Sequence, residues 1–96
     1  MKTLSQIKTL LTANKHLLFE KYRIKTLAIF GSYARDEANE SSDLDLIVDF
    51  NDKVGIEFID LAEDLEKLVG FKVDLISMNG IKSKYYEFIK NEMIYV

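Results

Sequence analysis

Among its 96 residues the chain has no cysteine and only one histidine. Disulfides and thiolate metal sites are therefore excluded, and an imidazole-rich zinc centre would lack ligands. The apolar runs are only a few residues long, too short for a membrane-spanning helix. Positive charge is not in excess either: 13 basic against 16 acidic side chains leave a net charge of -3 and a pI of about 5.1. The broad electrostatic footprint of a nucleic-acid binder is missing, and no direct nucleic-acid binding is expected. Lys21, Arg23 and Lys25, and Lys82 with Lys84, form short basic runs that read as solvated surface, with contact to phosphate as the other reading. Proline, low-complexity stretches and useful internal repeats are also absent.

What is present is the make-up of an ordinary globular domain, 48% hydrophobic, 30% charged and 11% aromatic. The length supports one core, so residues 1–96 are read as a single domain that meets whatever it acts on with one surface. The opening Met1-Lys2-Thr3-Leu4-Ser5-Gln6 is a polar-interrupted amphipathic stretch and not an apolar h-region, so no signal peptide is expected. Together with the lack of cysteine, this gives a cytoplasmic expectation.

Leu4, Ile7, Leu10, Leu11, Leu17, Leu18 and Tyr22 recur at helical spacing, and Thr3 or Ser5 can cap the start. A helix over about 5–22 is predicted. Leu27-Ala28-Ile29-Phe30 is a short apolar run stopped by Gly31, as in a buried strand. A short helix and a polar loop follow over 33–42, then the alternating strand Asp43-Leu44-Asp45-Leu46-Ile47-Val48-Asp49-Phe50. Here Leu44, Leu46 and Val48 face one way, and Asp43, Asp45 and Ile47 the other. The clearest helix runs from Ile56 to Val69, closed by Gly70. Strand 72–76, a loop at Met78-Asn79-Gly80, a helix from Ile81 to about Glu92 and a terminal edge strand at Ile94-Tyr95-Val96 complete the order. The expected fold is a small α+β (α/β) domain, a mixed sheet of three to four strands with helices on one face and the other face open near the aspartates.

The chemistry concentrates in Gly31-Ser32, a ten-residue spacer and Asp43-Leu44-Asp45. Residues two apart in a strand share a face at about 6.6 Å, so the Asp43 and Asp45 carboxylates can converge on one or two cations. Two such charges about 4 Å apart repel by roughly 4 kcal/mol at an effective dielectric of 20, so a cation between them relieves a real cost. Carboxylate oxygens favour Mg2+ or Mn2+ over Zn2+. Asp74, a lone charge inside the third strand, is the expected third ligand; Asp49 has the right parity but lies toward the far strand end. Gly31 and Ser32 sit where a strand turns into a helix, where free backbone N–H groups can take an anion and glycine permits its close approach.

Gly31-Ser32, the spacer, Asp43-Leu44-Asp45 and the Val73-Asp74-Leu75-Ile76 strand resemble the nucleotidyltransferase domain of the DNA polymerase beta superfamily. Size, leading helix and terminal Ile94-Tyr95-Val96 are similar to its minimal nucleotidyltransferase branch, the MntA-like antitoxins paired with HEPN-domain toxins. The resemblance implies ATP as donor, Mg2+ (two ions) as cofactor and transfer of AMP to a tyrosine hydroxyl of a HEPN toxin, in homo- or hetero-oligomeric form. It also implies that Gly31, Ser32 and Arg35 hold the nucleotide, that Asp43, Asp45 and Asp74 hold metal, and that Asp74 helps activate the acceptor. One departure is Asp36, where relatives carry glycine after the Ala-Arg pair; it either weakens nucleotide binding or points to solvent.

Arg35 has two readings, on phosphate or paired with acidic neighbours such as Glu40. His16 reads as surface or half-buried packing, and Tyr33 as a helix anchor or a base-stacking ring. Tyr85, Tyr86 and Phe88 read as core and partner interface. The rival to an enzyme is a non-catalytic antitoxin that neutralises its partner by stoichiometric contact. Template-dependent polymerisation and transfer to small molecules both need surfaces that an acidic chain of 96 residues leaves no room for.

Overall fold

The computed structural model describes residues 2–96. Helix α1, Leu4–Ala13, starts on a capping box: the Thr3 hydroxyl accepts the Gln6 N–H at 3.1 Å while the Gln6 side chain accepts the Thr3 N–H at 2.8 Å. The continuous helix expected over 5–22 is two helices. Asn14 leaves helical geometry at φ -106° and donates its side-chain amide to the Leu10 carbonyl at 2.9 Å, after which α2 runs Lys15–Tyr22. A side chain that competes for backbone acceptors is a natural break point. Beyond it Leu18 and Tyr22 reach the core while Leu17 stands 70% exposed.

Arg23, in the left-handed region at φ 54°, reverses the chain into β1, Ile24–Phe30, which is longer than the apolar run that announced it. The short helix begins at the glycine itself: α3 is Gly31–Ala34. Strand β2, Leu44–Phe50, lies antiparallel to β1, and β3, Val73–Ser77, parallel to β2. Between them α4, Glu57–Val69, ends on Gly70 at φ 87°, as its sequence pattern predicts. Met78–Gly80 form a 3-10 turn where a loop was expected, α5 is confined to Ser83–Ile89, and β4, Ile94–Tyr95, pairs antiparallel with β1. The strand order β3-β2-β1-β4 makes a four-stranded mixed sheet, and the α+β class holds.

Alternation along the strands divides the two faces. Ile7 and Leu11 of α1, Leu18 and Tyr22 of α2, and Leu61, Leu65 and Val69 of α4 pack with Leu27, Ile29, Leu44, Leu46 and Val48. The opposite face is not wholly open, as the layering of helices on one face required. Ile89 of α5 joins Ala28, Phe30 and Ile47 there, leaving the end that bears Asp45 and Asp74 uncovered. The Tyr22 hydroxyl donates to Asp64 Oδ2, with Lys21 Nζ 3.1 Å from the same oxygen, and so ties α2 to α4. The tyrosine hydrogen bond, then the lysine, hold the Asp64 carboxyl below its ordinary range. No helix among the described residues is long and apolar enough to cross a membrane.

Leu65 is fully buried at the centre of this packing. Leu65→Ala is expected to cost about 2–5 kcal/mol by cavity formation, read from the urea midpoint.

Candidate active site

The site lies where β1 ends and β2 and β3 begin. Parallel register sets Asp45 directly opposite Asp74, which puts their Cα atoms about 4.8 Å apart. The adjacency on which the third-ligand expectation depended is therefore present. Asp49 is four residues further along β2, roughly 13 Å from Asp45 and beyond the last β2–β3 pair. Asp43 falls one residue before β2, and its Oδ2 lies 4.0 Å from Lys72 Nζ.

Asp45 is half-buried and its carboxyl is pushed up to about 6, first by burial and then by the charges of Asp74 and Asp43; Arg35 opposes the shift. Among the described residues no three His, Asp or Glu side chains already form a cage able to hold an ion. The donor set nonetheless suits a hard divalent cation, because its oxygens are carboxylate and Asp45 carries an electrostatic penalty that a cation would relieve.

Gly31 has a steric role that its reading as a phosphate loop did not include. Its φ is +73°, and a Cβ built on it would stand 2.1 Å from Asp45 Oδ2. Only glycine lets the carboxylate lie against this backbone while the chain turns directly from β1 into α3. Its N–H is not free either: it donates to the carboxylate of Glu92, in the segment between α5 and β4.

Arg35 follows α3 and is paired. Its Nη1 reaches both Glu92 oxygens, at 3.2 and 3.0 Å, and its Nε reaches Glu37 at 2.9 Å. Its acidic partners are thus Glu37 and Glu92, with Glu40 outside these bonds. Glu92 escaped the sequence reading because it is 61 residues from Gly31 and sits in a polar stretch like any other; nothing local marks it.

Asp36 also finds an explanation. The Glu37 N–H donates to the Ser32 carbonyl at 2.8 Å and the Asp36 N–H to the Tyr33 carbonyl at 3.3 Å, a Schellman closure of α3 with Asp36 in the left-handed position at φ 59°. Glycine suits that position for backbone reasons; aspartate is among the few other residues that tolerate it. Asp36 itself is exposed. Tyr33 is 5% exposed and packs on Phe71 with ring centroids 5.7 Å apart, a core anchor for α3. His16 is at the surface, 3.3 Å from Glu20. Tyr85 and Phe88 are exposed, at 47% and 77%.

Two outcomes are expected. Asp36→Gly should raise stability by about 0.5–1 kcal/mol, measured by urea unfolding, by removing the left-handed penalty. For Asp45 the folded value lies above the ordinary 3.8. Its contribution is therefore complete below about pH 4 and lost as pH rises through about 6. In metal-free buffer Asp45→Asn should melt higher than the parent near pH 7, by on the order of 1 kcal/mol for this partly screened cluster, and the two curves should converge near pH 4.

The nucleotidyltransferase domain pattern matches residues 7–96. A Methanocaldococcus jannaschii protein with the provisional name protein adenylyltransferase is 45% identical over 98 residues, covering all of both chains. Protein adenylyltransferase MntA of Thermococcus cleftensis is 41% identical over 97 residues, covering all of this chain and 98% of its own. A solved structure provisionally described as a minimal nucleotidyltransferase superposes with TM-score 0.84 at 32% identity, over 97% of this chain and 95% of its own. A chain from the complex of tri-AMPylated Shewanella oneidensis HEPN toxin with MNT antitoxin gives TM-score 0.68 at 17% identity, over 93% of this chain and 70% of its own, a likeness of fold alone.

Proposed function

The chain belongs to the nucleotidyltransferase domain family, and from that premise we propose that residues 1–96 form one Mg2+-dependent domain that transfers AMP from ATP to a hydroxyl of a partner protein. The partner we infer is a HEPN toxin, its acceptor a tyrosine, and the chain its antitoxin. The observation that carries the chemistry is the register that sets Asp45 beside Asp74, with Asp45 pressed against Gly31. The relatives' adenylyltransferase names support AMP as the transferred group, and the toxin complex of like fold supports the partner.

In the transfer the acceptor oxygen bonds to the α-phosphorus, the bond from that phosphorus to the bridging oxygen breaks, and pyrophosphate leaves. Asp43, Asp45 and Asp74 would hold the divalent cations, which when bound offset charge on the phosphates and on the attacking and leaving oxygens. Asp74 is exposed on β3, the edge strand, where a folded partner can present a hydroxyl and the carboxylate can draw its proton. Gly31 and Ser32 would line the phosphates, and Arg35 would neutralise them on leaving its acidic partners. Asp36, the departure that most favoured a non-catalytic reading, is accounted for by backbone geometry.

Asp43→Asn with Asp45→Asn should lower transfer by at least about 100-fold, read as the adenylyl mass gain of the co-purified partner with ATP and Mg2+. A partner that gains no mass with the parent protein, yet is inhibited on mixing, would sink the enzymatic reading.

A further inference from the structure

Glu92 occupies ground that the proposed function gives to phosphate. Its carboxylate accepts the Gly31 N–H and both contacts of Arg35 Nη1, and its side chain is only 16% exposed. A carboxylate held by a backbone amide and a guanidinium presents two anionic oxygens in the manner of a phosphate edge. Gly31 has one amide hydrogen and cannot donate fully to two anions. A polyphosphate engaging Gly31 and Arg35 must therefore replace Glu92 on them.

Charge points the same way. Asp43, Asp45, Asp74 and Glu92 all converge on this end of the sheet, and Arg35 is the cation that bonds to Glu92 and offsets Asp45. With Glu92 left in place, an incoming polyphosphate would meet a fourth carboxylate already bound to the one guanidinium able to receive it. The contact is also reversible in kind. Arg35 is 42% exposed, retains Glu37 as a second partner, and sits where water screens its ion pairs. The backbone around Glu92 is anchored on both sides, its own N–H donating to the Ile89 carbonyl at 3.0 Å and Ile94 pairing with Ile29, so it is the side chain that turns.

We propose that Glu92 is an internal stand-in for phosphate: it holds the Gly31 amide and Arg35 until polyphosphate binds, and it leaves them when polyphosphate arrives. The proposal deepens the nucleotidyltransferase reading of this site and rests on it for the identity of the natural ligand. Glu92 thereby weakens nucleotide binding and keeps the loop and Arg35 in a satisfied conformation between turnovers.

The test is calorimetric titration of the intact protein with inorganic triphosphate in Mg2+ buffer, with AMP transfer measured separately on the same preparations. Glu92→Ala should bind triphosphate about tenfold or more tightly than the parent. Glu92→Gln, which keeps a neutral acceptor for the Gly31 N–H but loses the charge that holds Arg35, should fall between them. Should Glu92→Ala fail to melt cooperatively, the near-isosteric Glu92→Gln decides alone. Equal or weaker binding in the folded variants, or no triphosphate binding by any of the proteins, overturns the proposal. Tighter binding without AMP transfer by any of them would uphold the role of Glu92 and defeat the transferase reading, so the two fail separately.

Discussion

Setting Asp45 beside Asp74 is the constraint around which this small fold is arranged. A parallel β2–β3 pair cannot be closed by a tight turn and needs a long crossover, which α4 supplies. The crossover is anchored by Leu61, Leu65 and Val69 on the buried face, so its packing is what fixes the β3 register and hence the separation of the two carboxylates. The resulting repulsion is not relaxed by moving apart, because both residues lie within paired strands. It adds instead to burial, the larger cause, in raising the protonation of Asp45.

Around that pair the turn from β1 to α3 is shaped by contact with Asp45. Gly31 is the only residue type that gives the carboxylate its space, and the Schellman closure at Asp36 stops α3 after a single turn, so that Arg35 falls within reach of Glu92. The loop is thus specified from three directions: a strand neighbour, a helix end and a residue near the C-terminus. Each is a separate physical interaction, which is why the loop can be short and still ordered.

Periodicity was enough for β2 and α4, whose alternation and 3.6-residue spacing are strong and whose glycine cap is explicit. It also singled out Asp45 and Asp74 as candidates, since a charged residue inside an apolar strand is visible without any partner, and with them Asp43, which lies one residue before β2. It missed the break at Asn14, because the flanking leucines keep helical spacing across it and the competing bond is to a backbone carbonyl. It placed α3 too late and left Asp36 as an anomaly, because a left-handed backbone value has no hydrophobic signature. Glu92 was the costliest omission: a contact across 61 residues comes from the pairing of β4 with β1, which brings the chain end back to the start of α3. Local pattern contains the elements but not that return.

The same sheet order leaves β3 with one side of its backbone unpaired. Such an edge is a template on which a second chain could add a strand, and a charged side chain in the middle of a short edge strand is among the ways proteins discourage it. Asp74, exposed at the second position of a five-residue strand, supplies that deterrent. Its charge therefore bears on colloidal behaviour as well as chemistry, and any drift at this position toward an apolar residue would expose the chain to self-association before its effect on the site could be judged.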